Sequence, residues 1–587
     1  MRRRMATFLG AVLIFMAATP QAEVNAAESV RVEVEGLEGA ALKNVEAALE
    51  LPPGMVREGV VDKSLLEIFQ RQVPEKVKGA LEPFGYYEPK VSSNILRDSG
   101  KSVLRVDVAP GNPVRVSRKE VRLTGPGADQ GDLKRQAAAF PLRVGDVLNQ
   151  VRYETAKDDL RTRALNLGFL GAEYTTHVIR VNREGRKAEI ELVLDTGPQY
   201  RFGDVAWAGA ESYPVSFLER FLAFTPGDPY SYTRIFQTQM NLINSDRFSI
   251  VTIRAEKEEA QDLRVPVTVH LESSPPKRLR PGVGYATDTG GRFSLRYQDL
   301  NVFQRGHDFN ADLTIGERLR SVFSIYSIPG AGHMDNRTNF KAGYQEQLLK
   351  PYDTRLLTVE GERARSFGVG MVGSAYLQFR QENFSEFGES GKSTMFMPGL
   401  RLSQRRIDDI MRPHKGYRYA LDARGSTDFL GAETNFIQFL GNAEFMVPIV
   451  KNLYFLPRMQ VGVTWESDPI LNLPPSLRFY AGGDRSVRGY TYQSLGPKDA
   501  QGNVTGGKNL LVGSLEFEYD FTKTWGAAVF YDAGNAFNYF SDLHWAQGAG
   551  VGVRYYTPAG PIRLDLARQI NVDHPGYQIH LTVGFAL

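Results

Sequence analysis

Residues 482–490, GGDRSVRGY, interleave glycine with charged side chains in a mixture that a β-strand would not carry. They precede a long polar segment, residues 491–508, which we interpret as an outside loop. An arginine such as Arg488 can bind a carboxylate through two parallel hydrogen bonds, a geometry that lysine lacks. Arg488 could therefore anchor this loop to a carboxylate, or it could be a solvated surface arginine, since exposed ion pairs contribute little.

Catalytic motifs do not account for this segment. The chain has no cysteine, its eight histidines are scattered without an HExxH helix, and it has no GxSxG elbow. Residues 502–508 fit the spacing GxxxxGK, but Asn509 stands where a phosphate-binding loop needs Ser or Thr. Gly368, Gly370 and Gly373 spell GxGxxG outside any βαβ frame. We predict no enzyme activity, no cofactor and no metal site.

The first 27 residues have the order of a secretory signal peptide. Arg2, Arg3 and Arg4 precede an apolar run at residues 8–18, and small residues follow near the expected cleavage site. The apolar run is shorter than the roughly 20 residues that a spanning helix needs, and no later stretch approaches that length. Because 70 basic residues nearly balance 67 acidic ones, with no long basic run, nucleic-acid binding is not expected.

One pattern occurs three times between the export signal and residue 275, in segments 28–111, 112–197 and 198–275. Each copy opens with a short strand ending in glycine, continues with helical spacing of apolar residues, and closes with two alternating strands. The pattern predicts three α+β modules of the form β-α-α-β-β. The apolar helix faces predicted in the second and third copies are Tyr153, Ala156, Leu160, Ala164 and Leu167, and Phe236, Met240 and Ile243.

Residues 276–587 alternate apolar and polar side chains in segments long enough to cross a membrane as strands. In residues 511–521 the odd positions are apolar or glycine, while Glu516, Glu518 and Asp520 share the other parity. A charge facing lipid near the midplane costs about 2–4 kcal/mol, so the charged parity must face the lumen. The length fits about 12 to 18 strands of a transmembrane β-barrel. A soluble β-sandwich, with shorter and more evenly spaced strands, is the alternative.

Several of these segments resemble one family. GGDRSVRGY is similar to the VRGY loop motif of the outer-membrane protein insertase superfamily, and residues 529–535 (VFYDAGN) and 556–565 (YTPAGPIRLD) resemble two of its strand segments. The three modules resemble POTRA domains. The last strand, residues 577–587, resembles the terminal signal of outer-membrane barrels, although it ends in leucine instead of phenylalanine. The resemblance implies a 16-stranded antiparallel barrel in the bacterial outer membrane, with the POTRA domains in the periplasm.

Three modules and this form of the loop resemble the TamA branch, the outer-membrane subunits of the translocation and assembly module. That resemblance implies insertion or secretion of unfolded outer-membrane clients such as autotransporters, in contact with outer-membrane lipid. It also implies a TamB-like partner anchored in the inner membrane. The alternatives are a two-partner-secretion pore that passes a client through the lumen, a general barrel-assembly factor of the BamA type, and a passive structural anchor.

Within that family the motif loop folds back into the barrel. A guanidinium removed from bulk water needs a carboxylate, because an unpaired buried charge is very costly. We therefore expect Arg488 to bond Asp532, with Glu516 nearby, since both acids lie on the charged parity. The motif residues expected in the lumen are Gly483, Val487, Arg488, Gly489 and Tyr490.

The seam that closes the barrel is expected between the first strand, near residues 279–287, and the last strand, residues 577–587. Glycine inside a strand weakens it and permits bends, so the seam residues Gly282, Gly284, Gly584 and Phe585 are expected to pair weakly. A client strand could then add to the exposed edge and move sideways into lipid. The alternative is that these glycines only relieve crowding inside the barrel.

Overall fold

The structure is a computed structural model that describes residues 29–57, 60–98, 101–331, 334–349, 352–368, 370–409, 412–467, 469–557 and 560–583. The predicted signal peptide, Gly584 and Phe585 lie outside the described residues. The chain divides into two compact units. One contains Met1–Asp204, Pro226–Thr233 and Ala255–Pro266, and the other contains Val205–Thr225, Arg234–Arg254 and Val267–Leu587. None of the described helices is long and apolar enough to cross a membrane.

The first module packs two helices on one face of a three-stranded sheet, in the order β1-β5-β4, with β1 parallel to β5. The face toward the helices is apolar because Leu104, Val106 and Val108 alternate with polar residues along β5. Two short antiparallel strands of two residues each, β2 and β3, lie between the helices in the chain. The elements are β1 (Ser29–Glu35), α1 (Gly39–Ala48), β2 (Val56–Arg57), β3 (Val60–Val61), α2 (Lys63–Leu81), β4 (Lys90–Asp98) and β5 (Lys101–Ala109).

The second module repeats this arrangement with the sheet order β6-β8-β7. Tyr153, Leu160 and Ala164 of α4 lie in its core, as the helical spacing predicts, together with Ile190 and Leu192 of β8. The elements are β6 (Arg115–Thr124), α3 (Gly131–Ala138), α4 (Gln150–Asn166), β7 (Glu173–Asn182) and β8 (Lys187–Asp195).

The third module has the sheet order β10-β11-β9. Its helix α6 corrects one prediction, because Phe236 is 62% exposed and Ile243 is 44% exposed. The buried positions of α6 are Leu242 and Thr238, whose hydroxyl donates to Arg234 O and accepts from Ala223 N, both at 2.9 Å. The elements are β9 (Arg201–Ala208), α5 (Val215–Leu218), α6 (Tyr232–Ile243), β10 (Phe248–Arg254) and β11 (Arg264–Ser273).

The glycine that ends each opening strand has a physical reason. Gly36, Gly125 and Gly209 all have positive φ, between 78° and 89°. A Cβ atom on Gly36 would lie 2.1 Å from Val108 O, and one on Gly209 would lie 2.1 Å from Leu271 O. Glycine is therefore required where the first strand leaves the sheet beside the last strand.

Residues 277–583 form a closed antiparallel barrel. Its 17 strand segments make 16 strands, because β22 and β23 are one strand interrupted at Leu456 and Pro457, and both pair with β21 and β24. The segments are β12 (Lys277–Ala286), β13 (Gly290–Val302), β14 (His307–Gly316), β15 (Leu319–Pro329), β16 (Arg337–Leu348), β17 (Tyr352–Gly368), β18 (Met371–Glu386), β19 (Glu389–Ile407), β20 (Gly416–Ser426), β21 (Phe436–Val450), β22 (Leu453–Phe455), β23 (Arg458–Glu466), β24 (Asn509–Asp520), β25 (Trp525–Phe537), β26 (Ala546–Thr557), β27 (Gly560–Ile570) and β28 (Tyr577–Val583).

The two faces of the barrel wall follow the predicted parity. Along β24, Leu515 and Phe517 are exposed on the outside, while Glu516, Glu518 and Asp520 are buried. The charged side chains therefore point into the lumen, where they meet other polar groups, and the outer face is left apolar for lipid.

Candidate functional site

The loop between β23 and β24 is described over residues 469–508, and its motif folds into the lumen of the barrel. Its motif is held by contacts to lumen-facing side chains of the strands that follow it. Val487 is fully buried, packed with Ala481 and Val512, and Tyr490 lies against the same cluster. The backbone turns sharply at Gly482, Gly483 and Gly489, where φ is +98°, +107° and +96°. Left-handed values of this kind favour glycine, which explains the two ends of GGDRSVRG.

Arg488 is 2% exposed and lies against three carboxylates from three different strands. Its Nε and Nη2 donate to the two oxygens of Asp532 at 2.7 and 2.9 Å. Its Nη1 donates to Glu516 at 2.8 Å and to Asp565 at 3.1 Å, and Nη2 also reaches Ser514 Oγ at 3.3 Å. The Asp532 pair has the bidentate geometry that only a planar guanidinium supplies.

A second buried arginine shares two of these carboxylates with Arg488. Arg554 of β26 is 1% exposed, donates to Glu516 at 2.7 Å, and bonds Asp565. Phe530 of β25 lies under Arg488, with its ring centroid 3.4 Å from the guanidinium carbon, which adds a cation–π contact. Burial disfavours the cation of Arg488, but the bond and charge of Asp532, together with Glu516, raise its pKa above the usual value. Arg488 is therefore a permanent cation.

Arg478 forms a second anchor at the outer part of the same loop. Its Nη1 donates to both oxygens of Glu386 at 2.9 Å, and also to Thr505 O at 2.9 Å. Its Nε donates to Leu473 O at 2.8 Å, so one side chain joins the start and the end of the loop to the wall. The loop is thus held at two points, one before the motif at Arg478 and one within it at Arg488.

The closing seam joins β12 to β28. Within the described part of the last strand, Tyr285 pairs with Val583 and Ala286 pairs with Thr582. Gly282 and Gly284 lie in β12, where a Cβ on Gly284 would lie 3.1 Å from Val583 O. This is the close backbone approach that glycine permits.

The loop motif also reaches the outer end of this seam. Asp484 contacts Thr287 at 3.2 Å and Thr582 at 3.4 Å, and its carboxylate bonds His580 Nδ1. Gly489 N donates to His580 Nε2 at 3.0 Å. Among the described residues, Asp288, Asp484 and His580 could supply three metal-ligand atoms. Because both ring nitrogens of His580 are already engaged by the protein, we describe this as a hydrogen-bonded cluster.

All five predicted motif residues, Gly483, Val487, Arg488, Gly489 and Tyr490, lie in this lumenal arrangement, and Asp532 and Glu516 contact Arg488. Sequence reasoning missed Asp565, Arg554 and Phe530. The first two lie on the charged parity of their strands, so alternation marked them as lumenal without indicating that they meet Arg488. It also missed Arg478, whose partner Glu386 is 92 residues away in the chain.

A closed 16-stranded barrel preceded by POTRA-like α+β modules, with a charged loop bound in its lumen, is the architecture of an outer-membrane β-barrel protein. The family model for the Omp85 superfamily domain matches residues 284–586, and the chain belongs to the Omp85 superfamily. Two further models match the N-terminal half. One, described as POTRA domain TamA domain 1, matches residues 31–110, and the other, surface antigen variable number repeat, matches residues 200–274.

The chain is 20% identical over 451 residues to the outer membrane protein assembly factor BamA of Nitratidesulfovibrio vulgaris. The match covers 72% of this chain and 56% of that protein, so the chain spans little more than half the length of this relative. BamA from Haemophilus ducreyi lacking POTRA domains 1–3 is similar with a TM-score of 0.64 at 15% identity, covering 80% of this chain and 99% of that one. CdiB from Escherichia coli is similar with a TM-score of 0.50 at 14% identity, and the match covers 91% of this chain and 100% of that one. At these identities the likeness concerns the fold.

The protein is located in the bacterial outer membrane, with its POTRA domains in the periplasm. The apolar outer face of the barrel agrees with this location, since an exposed band of this kind is stable only against lipid.

Proposed function

We propose that this protein assembles or secretes client proteins, such as autotransporters, at the outer membrane by opening the β12–β28 seam toward the lipid. The observation that carries the proposal is the pair of buried arginine anchors, Arg478 and Arg488, which hold the loop inside the lumen. A client passing through the lumen would have to displace this loop and leave buried charges unpaired, at several kcal/mol each. A client leaving sideways breaks the hydrogen bonds between two strands and the contacts of Asp484 across the seam, and both arginine anchors stay in place.

We further propose that the protein acts as a TamA-like subunit. The match of residues 31–110 to a domain described as TamA domain 1 supports this choice over a general assembly factor. A TamB-like protein anchored in the inner membrane is then the expected partner, and it would meet the first module. The edge strand β4 offers unpaired backbone groups for this contact, because it pairs only with β5 in the sheet order β1-β5-β4.

A locked seam tests the lateral route. The chain has no native cysteine, so Tyr285→Cys with Val583→Cys places one thiol on each side of the seam. The matched control pair is Phe293→Cys with Ile315→Cys, which are cross-strand neighbours in the β13–β14 hairpin. After oxidation or short bis-thiol cross-linking, the seam-locked protein is expected to lose client assembly and to regain it on release. Assembly at the full rate with a locked seam would rule out lateral opening.

A photo-crosslinking side chain at exposed Leu96 of β4 tests the partner in the full-length protein. We expect a covalent product with an inner-membrane-anchored protein, and no such product from exposed Val151 of the second module. Equal products from both positions, or none from Leu96, would contradict contact at the first module.

A further inference from the structure

Asp484 is the loop residue that touches both sides of the closing seam. Thr287, directly after β12, donates to its Oδ1 at 3.2 Å. Thr582 of β28 donates to its Oδ2 at 3.4 Å, and His580 of β28 bonds its Oδ1. One carboxylate therefore joins the first strand, the last strand and the lumenal loop.

The last strand is tied to the loop at a second point through the same histidine. Gly489 N donates to His580 Nε2 at 3.0 Å, so this nitrogen accepts a hydrogen bond and the proton is placed on Nδ1, facing Asp484. The side chain is 2% exposed. Because Gly489 follows Arg488 directly, the contact between loop and seam is continuous with the buried arginine anchor.

Asp288, in the turn between β12 and β13, adds a second carboxyl group. Asp484 N donates to its Oδ2 at 2.8 Å, and Asp288 is 8% exposed. The approach depends on Gly483, where a Cβ would lie 2.5 Å from the same oxygen. The motif GGD therefore brings its aspartate against the first hairpin of the barrel.

We propose that Thr287, Asp288, Asp484, His580 and Thr582, the seam cluster, hold the outer end of the first strand against the last strand, with Asp484 as the positioning residue. The cluster couples the lumenal loop to the seam, so movement of the loop releases the strand edges. The consequence for client assembly rests on the proposed lateral opening, whereas closure of the seam by Asp484 does not.

The two carboxyl groups make this closure dependent on pH. Burial, and then the charge of Asp484, raises the pKa of Asp288 to about 7. The other groups facing it are His580, Tyr492 and Arg318, whose Nη1 donates to the backbone oxygen of Asp288 at 2.7 Å. A carboxyl whose pKa is raised in the closed state loses stabilisation as pH rises from its ordinary range to about 7. The closed seam is therefore favoured in mild acid and weakened toward neutral pH.

The first experiment measures seam closure in the purified full-length protein without any client. Cross-linking of the Tyr285→Cys/Val583→Cys pair is divided by that of the Phe293→Cys/Ile315→Cys pair, which corrects for thiol chemistry. Asp484→Ala is expected to lower this normalised cross-linking. The expected change is an increase of about 10-fold in the population with a separated seam relative to the population with a closed seam, as for loss of a charged hydrogen bond. Asp499→Asn is the control, because this carboxylate bonds Gln501 and Asn503 of its own loop.

Unchanged seam cross-linking in folded Asp484→Ala would overturn the proposal. If that variant lacks the heat-modifiable band of a folded barrel, Thr287→Val and Thr582→Val replace it, since each removes one hydrogen bond to Asp484. Both are expected to lower cross-linking, and wild-type values in both would overturn the proposal equally.

The second experiment measures the seam cross-linking, divided by that of the control pair, between pH 5 and pH 8. Wild-type cross-linking is expected to fall as pH rises toward about 7, and Asp288→Asn, which mimics the protonated carboxyl, is expected to stay high and flat. An identical profile in both proteins would contradict the claim that Asp288 makes seam closure depend on pH. Client assembly that continues through a chemically locked seam would refute the proposed function while leaving this closure in place.

Discussion

At the scale of single residues, the lumenal site is an arginine whose charge is fully compensated away from bulk water. The parity of the strands placed Asp532 and Glu516 inside the barrel, and the cost of a buried charge required a partner for Arg488. Both carboxylates contact the guanidinium. Asp565 is a third partner, which Arg488 shares with Arg554.

Arg488→Ala should lower the free energy of unfolding by about 3–5 kcal/mol, because it leaves the buried carboxylate of Asp532 without its cation. Arg488→Lys should retain only part of the free energy of unfolding that is lost in Arg488→Ala, since lysine cannot form the bidentate pair with Asp532. The measurement is the urea concentration at which half of the protein has lost the heat-modifiable gel band of the folded barrel. The control Arg320→Ala should change stability by about 0–1 kcal/mol, because Arg320 is exposed and 4.0 Å from Glu346. Equal effects at the two positions would contradict a buried anchor.

At the scale of elements, the loop is positioned by two arginines and by glycines at its turns, while each module is positioned by a helix on a sheet. Helical spacing correctly predicted the core of α4 but chose the wrong face of α6. There the buried Thr238 satisfies its hydroxyl with two backbone bonds, so a polar residue takes a core position and Phe236 faces outward. The spacing of apolar residues cannot predict that a threonine is buried through local hydrogen bonds of this kind.

Arg478→Ala should free the outer part of the loop while the Arg488 anchor stays in place. The reason is that Arg478 holds both Leu473 O and Thr505 O against Glu386. We expect rapid subtilisin cleavage within residues 491–508 on intact cells, with an unchanged heat-modifiable band. The exposed control Lys498→Ala should keep the wild-type cleavage rate, and equal rates in the two variants would refute the second anchor.

Leu160→Ala should destabilise the second module by about 2–5 kcal/mol, since a fully buried leucine leaves a cavity. Hydrogen exchange of the full-length protein should quicken in α4 and β8 and remain unchanged in the barrel. Val151→Ala on the same helix is the control, because Val151 is exposed and should change stability by no more than about 0.5 kcal/mol. Faster exchange in both variants would indicate that the assigned core face is wrong.

At the scale of the whole molecule, the barrel separates lipid from a charged interior by strand parity alone. On β16, Phe340, Ala342 and Tyr344 are exposed on the outer face, and Lys341 bonds Glu360 and Glu362 inside. The interior charges are stable because they neutralise each other around the loop, and the outer face is stable because it carries little charge.

Ala342→Arg should cost about 2–4 kcal/mol of folding free energy in lipid vesicles, because the new charge faces the membrane. Gln345→Arg on the same strand is the matched control, since Gln345 has the lumenal parity and its side chain bonds Gln347. The cost there should be clearly smaller, because a charge on the lumenal face does not meet lipid. The measurement is the urea midpoint of folding into vesicles, and similar costs at both positions would contradict the assigned faces.

Properties that depend on residues close together in the chain could be predicted from the amino-acid sequence. Alternation in residues 511–521 established a barrel strand and its lumenal face, and the glycines after β1, β6 and β9 marked where each module's first strand ends. These signals are local, because side-chain parity and backbone φ depend on neighbouring residues.

The contacts between distant lumenal groups could not be predicted and are known from the folded barrel. Arg478 and Glu386 are 92 residues apart, and Thr582 and Asp484 are 98 apart, so neither contact leaves a periodic trace in the sequence. Closing the barrel brings the first and last strands together, and the loop then selects its partners by distance and charge. Parity shows which side chains face the lumen, whereas strand register and loop conformation determine which of them touch.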